Sequence, residues 1–331
     1  MQKGQKAIAY YQFQTIRTRR VNKKTEGVSL LVFLFLKVTP VKPAFNRHST
    51  QLLLLKLDYQ NPFVMKWLLI LSIVFLFSCS EKDESIGEEL SEGKWIDLSY
   101  DFSDNTLYWP TANSFKLDTA FNGVTPAGFY YEAYNYCAAE HGGTHLDAPV
   151  HFAKGKWSTD QIPLDKLTGE AVVVDVSYNA LKNADYLVSI ADIEAWEKTN
   201  GKLPDDIIIL FRTGYGSFYP DAKKYLGTHE RGAEAVAKLH FPGIDPAAAE
   251  WLVKNRKIKA VGLDVASVDY GQSKDFKTHQ ILYEQNIPGF ENVAHLDKLP
   301  AKGAFIIALP MKIKGGSGAP LRIVAIVPGE E

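Results

Sequence analysis

Cysteine is scarce in this chain, with only Cys79 and Cys137 among 331 residues. At most one bridge could form, and none if Cys79 is chemically occupied, so the fold cannot rest on a disulfide framework. No apolar run reaches the roughly 20 residues that a membrane-spanning helix needs. No internal repeat is visible. The one glycine-rich run, Gly315-Gly316-Ser317-Gly318, lacks the Gly-Lys-Ser/Thr ending of a phosphate cradle and has no helix after it, so it predicts a hairpin or active-site loop. Excess positive charge is missing from most of the sequence as well. The net charge is −1, yet residues 1–64 hold eleven Lys/Arg against Glu26 and Asp58, a local +9 that leaves −10 for the rest. An acidic remainder argues against a nucleic-acid partner.

The basic, irregular residues 1–64 fit nothing downstream and read as a mis-assigned or disordered extension, with translation expected to start at Met65. From there Met65-Lys66 leads into an apolar run, Trp67–Phe77, broken only by Ser72. Eleven residues suit the apolar region of an export signal. The run ends Leu76-Phe77-Ser78-Cys79, which resembles a bacterial lipoprotein cleavage box and makes Cys79 the expected lipidated first residue of a membrane-anchored envelope protein. Residues 80–93 are polar and acidic and are expected to be a flexible tether. The folded domain is placed at 94–331. Cys137, in an aromatic strand-like stretch, is expected to be a small buried residue.

Within the domain, apolar and β-branched runs predict strands over 95–99, 171–176, 207–212, 260–263, 305–309 and 321–327, and the alternation over 129–137 predicts a half-buried strand. Helical patterns cover 189–198 and 246–255, the latter with Asp245 as cap and Pro246 in the first turn. Strands alternating with helices indicate an α/β architecture.

Histidine is the second scarce residue, eight in all, yet three of them fall in one segment of eleven residues. The segment reads His141-Gly-Gly-Thr-His145-Leu-Asp147-Ala-Pro-Val-His151. Imidazole nitrogens and carboxylate oxygens suit zinc or manganese, and such ions turn bound water into a nucleophile near neutral pH. All four groups sit at odd positions, so an extended backbone would turn them to one side. Gly142, Gly143 and Pro149 argue against a helix here. Downstream, His229, His240, His279 and His295, with nearby carboxylates, are the remaining candidates; His279 opens a helix-like stretch and Glu291 follows twelve residues later, in Gly-Phe-Glu-Asn-Val.

The pattern His-x-Gly-Thr-His-x-Asp-x-Pro-x-His, followed by His-x11-Glu-Asn, resembles the cyclase superfamily, which holds bacterial kynurenine formamidases and isatin hydrolases. The similarity runs from about Trp95 to Val327 and includes Trp109-Pro110, Phe211-Arg212-Thr213-Gly214, Gly262-Leu263-Asp264 and Gly318-Ala319-Pro320-Leu321-Arg322. The resemblance implies a single α/β domain of the swivelling β/β/α type with mixed sheets. It implies that His141, His145 and Asp147 bind one divalent ion and that Asp147 bridges to a second held by His279 and Glu291. Zinc is the first choice and manganese the second, with one or two ions per chain. His151 matches the proton donor/acceptor and Trp109 the substrate-contacting aromatic. His295 stands where the family pattern has Asn; His229 and His240 match nothing.

The chemistry implied is addition of a metal-activated hydroxide to an amide or formamide carbon, with His151 as imidazolium protonating the departing nitrogen. N-formylkynurenine (an arylformamidase reaction) or an isatin-like cyclic amide are the candidate substrates, and a lactone would suit the same nucleophile. The competing class is a non-catalytic metal- or ligand-binding lipoprotein of the same fold, which would have no use for His151. The resemblance also implies a homo-oligomer, dimer or tetramer. Peptide mapping of the native protein by mass spectrometry is expected to find no peptide from 18–47; finding one would refute the start at Met65.

Overall fold

A computed structural model describes residues 86–329. The extension 1–64, the export signal 65–79 with Cys79, and the first half of the tether lie outside the described residues. The tether's second half contains a seven-residue helix, Ile86–Glu92, whose Leu90 carbonyl accepts from the Trp95 indole.

Twelve strands follow among the described residues: β1 (Lys94–Asp97), β2 (Lys116–Val124), β3 (Tyr130–Cys137), β4 (His145–Asp147), β5 (Thr168–Asp175), β6 (Leu187–Val188), β7 (Ile207–Arg212), β8 (Gly243–Ile244), β9 (Ile258–Leu263), β10 (Gly289–Glu291), β11 (Lys302–Pro310) and β12 (Gly318–Val327). Eight of them form one mixed sheet in the order β1-β12-β11-β5-β7-β9-β10-β4. β4 also pairs with β12, so the sheet curls round on itself like a barrel with β1 as an extra edge. β5, β7, β9 and β10 run parallel, and the remaining neighbours are antiparallel.

The unbroken apolar strands follow from burial on both faces. Side chains alternate along a strand, so Ile207, Ile209 and Phe211 of β7 join a core shared with Ile193 and Trp196 of helix Ile190–Asn200 and Leu252 of helix Pro246–Asn255. Ile208 and Leu210 point the other way and pack with Leu146, Phe290, Ile306 and Ile323 inside the curl. Both helices start as their sequences require. Ser189 and Asp192 form a reciprocal capping box, and the Asp245 carboxylate accepts from Ala247 N ahead of Pro246. The Gly315 run connects β11 to β12, as a hairpin loop should.

Two expectations fail in the same place. β3 is not half-buried: with β2 it forms a separate two-stranded ribbon whose side chains are nearly all exposed. Cys137, at the end of β3, is exposed rather than buried. The period-2 alternation that suggested an apolar side against a core is an alternation of tyrosines with other residues, and both faces meet solvent.

One ion pair fastens the helical layer. Glu197 accepts from Arg256 Nε at 2.7 Å and Nη2 at 2.5 Å, and from Leu203 N at 2.9 Å, with both side chains largely buried. The Arg256 hydrogen bonds hold the Glu197 carboxyl below its ordinary 4.5. A lowered carboxylate pKa adds stability above the unfolded value and loses it as pH falls through the folded one. Glu197→Gln is therefore expected to lower stability by about 2 kcal/mol at neutral pH. Chemical denaturation should show that gap closing as the pH falls below the ordinary glutamate range; a gap that is unchanged with pH refutes the ion-pair origin.

Candidate metal centre

β4 is three residues long and lies between β10 and β12, where the sheet closes. His145 and Asp147 are two apart on this strand and so share a face. Glu291 of β10 is directly opposite His145, so strand register alone brings this carboxylate to the histidine segment. The extended path expected from His141 to His151 holds only over 145–147. Gly143 is left-handed at φ +55°, and Pro149–His151 forms a 3-10 turn. The turns on either side, not strand alternation, deliver His141 and His151. His279 comes from the helix Lys277–Glu284, as its pattern predicted.

The distances define one cluster. His141 Nδ1 is 2.6 Å from Asp147 Oδ1, and His145 Nε2 is 3.1 Å from the same oxygen and 3.3 Å from Glu291 Oε2. His279 Nε2 is 3.4 Å from Asp147 Oδ2 and 3.4 Å from Glu291 Oε1. His151 Nε2 is 4.0 Å from Asp147 Oδ2, and its ring stacks on His141 at 3.9 Å. His145, Asp147, His279 and Glu291 are buried. These four, with His141, His151 and Trp109, line one cavity of about 290 Å³, so all seven residues singled out by sequence converge. Trp109 both lines this cavity and packs edge-on against Phe241.

Hydrogen bonds fix the tautomers of the buried imidazoles. His145 Nδ1 is 2.9 Å from the Gly143 carbonyl, so that nitrogen is the donor and Nε2 carries the lone pair. This buried Nε2 has no hydrogen-bond partner, although two carboxylate oxygens face it. His279 repeats the arrangement: Nδ1 is 2.5 Å from Asp269 Oδ2, which leaves its Nε2 lone pair toward Asp147 and Glu291. Lone pairs aimed at carboxylates repel unless a proton or a metal ion lies among them. For His145, burial pulls the pKa down, but Asp147 and Glu291 outweigh it and push it up to about 10, which is the pull of the same field on a proton. Ligand atoms of His145, Asp147 and Glu291 lie within 4.8 Å of one another, and so do those of His141, Asp147 and His151. The donor set, imidazole nitrogens with carboxylate oxygens, fits a zinc- or manganese-like ion.

Several supporting groups were not singled out from sequence. Asp269 orients His279 and also accepts from Thr278 N at 3.2 Å and His279 N at 3.1 Å. Tyr283 donates to Asp147 Oδ2 at 2.9 Å. It sits four residues after His279 on one helix, so the same-face rule could have found it. His141 Nε2 lies 3.0 Å from Ser317 Oγ, and that hydroxyl donates to Glu140 at 2.6 Å. No short-range signal joins Glu140 to Ser317. Asn292 donates to the Gly143 carbonyl at 2.7 Å and accepts from Tyr225 at 2.8 Å, fixing the turn before β4.

Among the described residues, the remaining histidines stay outside. His240 pairs with Asp185 at 2.9 Å, and His229 is exposed. His295 is exposed at φ +56°, a backbone conformation that suits Asn, so its exchange with Asn concerns a turn and not the cluster.

Comparison with known proteins follows the same lines. A family model described as "Putative cyclase" matches residues 96–270. The chain is 35% identical over 242 residues to an isatin hydrolase of Roseibium aggregatum, covering 70% of this chain and 86% of that protein. It is 32% identical over 230 residues to a kynurenine formamidase of Salinibacter ruber, covering 69% and 95%. The solved structure of isatin hydrolase A from Ralstonia solanacearum superposes with a TM-score of 0.66 at 31% identity, covering 75% of this chain and 99% of that one.

Asp269→Ala removes the acceptor that fixes His279. It is expected to weaken affinity for a divalent ion by about 10- to 100-fold, measured by competition against a chromophoric chelator. Unchanged affinity would mean that His279 takes no part in holding the ion.

Proposed function

The chain belongs to the cyclase family, and on that premise we propose that it is a metal-dependent hydrolase opening the C–N bond of a small, neutral cyclic amide of the isatin type. The observation that carries the proposal is the orphaned His145 Nε2 at the floor of an aromatic-walled cavity, facing two buried carboxylates. His141, His145, Asp147, His279 and Glu291 would hold the ion or ions, zinc first and manganese second. A bound divalent ion supplies a Lewis acid for a carbonyl oxygen and draws the pKa of water toward neutrality.

The chain's own residues do the rest. Burial pulls His151 down to about 4, so it starts as an uncharged base and becomes the imidazolium donor only after taking a proton. It can therefore take a proton from the attacking water first, and then hand it to the nitrogen as the C–N bond breaks. Asp269 and Tyr283 hold His279 and Asp147 in place while charge moves beside them. Trp109, Phe152 and Phe276 give flat walls that orient an aromatic ring and thin the water around it.

Isatin hydrolase and kynurenine formamidase relatives suggest two substrates, and the wall chemistry favours the first. Among the residues lining the cavity none is Lys or Arg. The carboxylate of an N-formylkynurenine tail would find no cationic partner there, whereas a neutral bicyclic amide needs none. A lactone of similar shape is the next choice. We place the enzyme at the cell envelope, held by a lipid on Cys79. Labelled fatty acid should be incorporated by the native chain and not by Cys79→Ser; incorporation by both refutes the anchor.

Purified protein should open isatin, followed by loss of its visible absorbance, and lose that activity on chelation with recovery on adding zinc or manganese. Turnover that survives chelation refutes the metal-dependent reading. Turnover of N-formylkynurenine in preference to isatin refutes the substrate choice alone. His151→Ala should reduce kcat by about 10²- to 10⁴-fold while the metal content, read by elemental analysis, stays unchanged. Parallel loss of metal and activity would make His151 a ligand instead.

A further inference from the structure

Strand-like pairing secures only the start of the turn that carries Trp109 into the cavity. There Gly143 N donates to the Leu107 carbonyl at 2.9 Å, Leu107 N donates to the Tyr219 hydroxyl at 3.1 Å, and Tyr108 bridges Gly142. Beyond Tyr108 the chain turns back, with Ala112 N donating to the Trp109 carbonyl at 3.0 Å. Pro110 has no N–H, so the turn offers acceptors more readily than donors.

Arg231 supplies donors from a neighbouring loop. Its Nη1 donates to the Tyr108 carbonyl at 3.0 Å and its Nη2 to the Ala112 carbonyl, while Gly232 N donates to the Pro110 carbonyl at 2.9 Å. Three carbonyls on either side of Trp109 thus meet two consecutive residues. A guanidinium is a rigid planar fork that serves two acceptors at once, whereas an ammonium is a point charge on a flexible stem. The adjacent carboxylate, Glu230, is engaged by Lys238 at 2.6 Å and leaves the guanidinium to the carbonyls. The loop itself is fixed, since Glu230 N donates to Thr228 Oγ1 at 3.1 Å and the Leu226 carbonyl accepts from His240 N at 2.9 Å.

Tyr108, Trp109 and Ala112 line the cavity, as does Leu226 where the loop begins, but Arg231 is exposed and stands behind that wall. The Trp109 ring lies 6.3 Å from Phe241 and 6.1 Å from Phe276, centre to centre, and Phe276 directly precedes the helix that carries His279. Ring contacts tolerate sliding, whereas hydrogen bonds are directional, so the clamp sets where along the wall the indole stands.

We propose that Arg231 is a positioning residue for substrate: it fixes the Trp109 face against which the aromatic ring of a cyclic amide lies. The inference rests on the hydrolase reading above. His145, Asp147, His279 and Glu291 stand on other elements, so losing the clamp loosens the hold on substrate and leaves the ion in place.

The test compares the metal-loaded wild type with Arg231→Lys, Trp109→Ala and the double variant. Arg231→Lys keeps the charge and loses the fork. Its KM for isatin should rise about tenfold, the effect of losing one charge-assisted hydrogen bond at a partly wet site. Its kcat and its metal content, read by elemental analysis, should stay near the wild-type values. In the Trp109→Ala background the same change should barely move KM, because both substitutions act on one contact. Hydrogen exchange read by mass spectrometry should speed up over residues 107–113 in Arg231→Lys and not across the core strands. Additive effects on KM, or a fall in kcat with loss of metal, would give Arg231 a general structural role and overturn the proposal. Unchanged exchange over 107–113 would overturn it too. If the wild type opens no cyclic amide, the hydrolase reading fails, while the exchange comparison still decides whether Arg231 fixes the turn.

Discussion

The unresolved charge at the centre of this domain governs much of what surrounds it. Asp147 and Glu291 are buried within reach of the same two imidazoles, and each imidazole already spends its proton on an acceptor behind it. Buried carboxylates without a counter-charge are strongly unfavourable. The fold tolerates the arrangement because four strands and one helix over-determine the positions of the groups. A cation is the economical solution to that electrostatic problem, and the same cation is what the proposed chemistry needs.

The supporting groups follow from the constraint. Lone pairs point inward only because the Gly143 carbonyl and Asp269 fix the opposite ring nitrogens. Gly143 can adopt its left-handed turn because it has no side chain; a Cβ there would come within 2.8 Å of Thr106. Gly318 does similar work across the seam, since a Cβ would lie 2.5 Å from the His141 ring. Gly143 thus lets the turn before β4 pack against Thr106, and Gly318 makes room for His141.

Much of this was legible in the sequence, and the limits were physical. The clustered histidines and the acid between them were readable because scarce residue types at fixed spacing carry information, whereas His279 and Glu291 were singled out only by the resemblance to the family pattern. Strands such as β7 were readable because a run of β-branched residues has few other stable fates. The partnership of Glu140 with Ser317 was not, because it depends on which loop lies beside which after the sheet closes. The ribbon was misread for a related reason: alternation reports that a strand has two unlike faces and is silent on whether either meets a core. The charge state of His151 also needed structure, since it depends on how deeply the ring sits beside Asp147.

Closure of the sheet by β4 against β12 has a consequence for how the molecule comes into being. Residues near 145 cannot meet their neighbours near 320 until the chain is almost entirely made. A ribosome delivers the first half of the seam long before the second. The contact that seats β4 against β12 is therefore among the last long-range pairings that the chain can make.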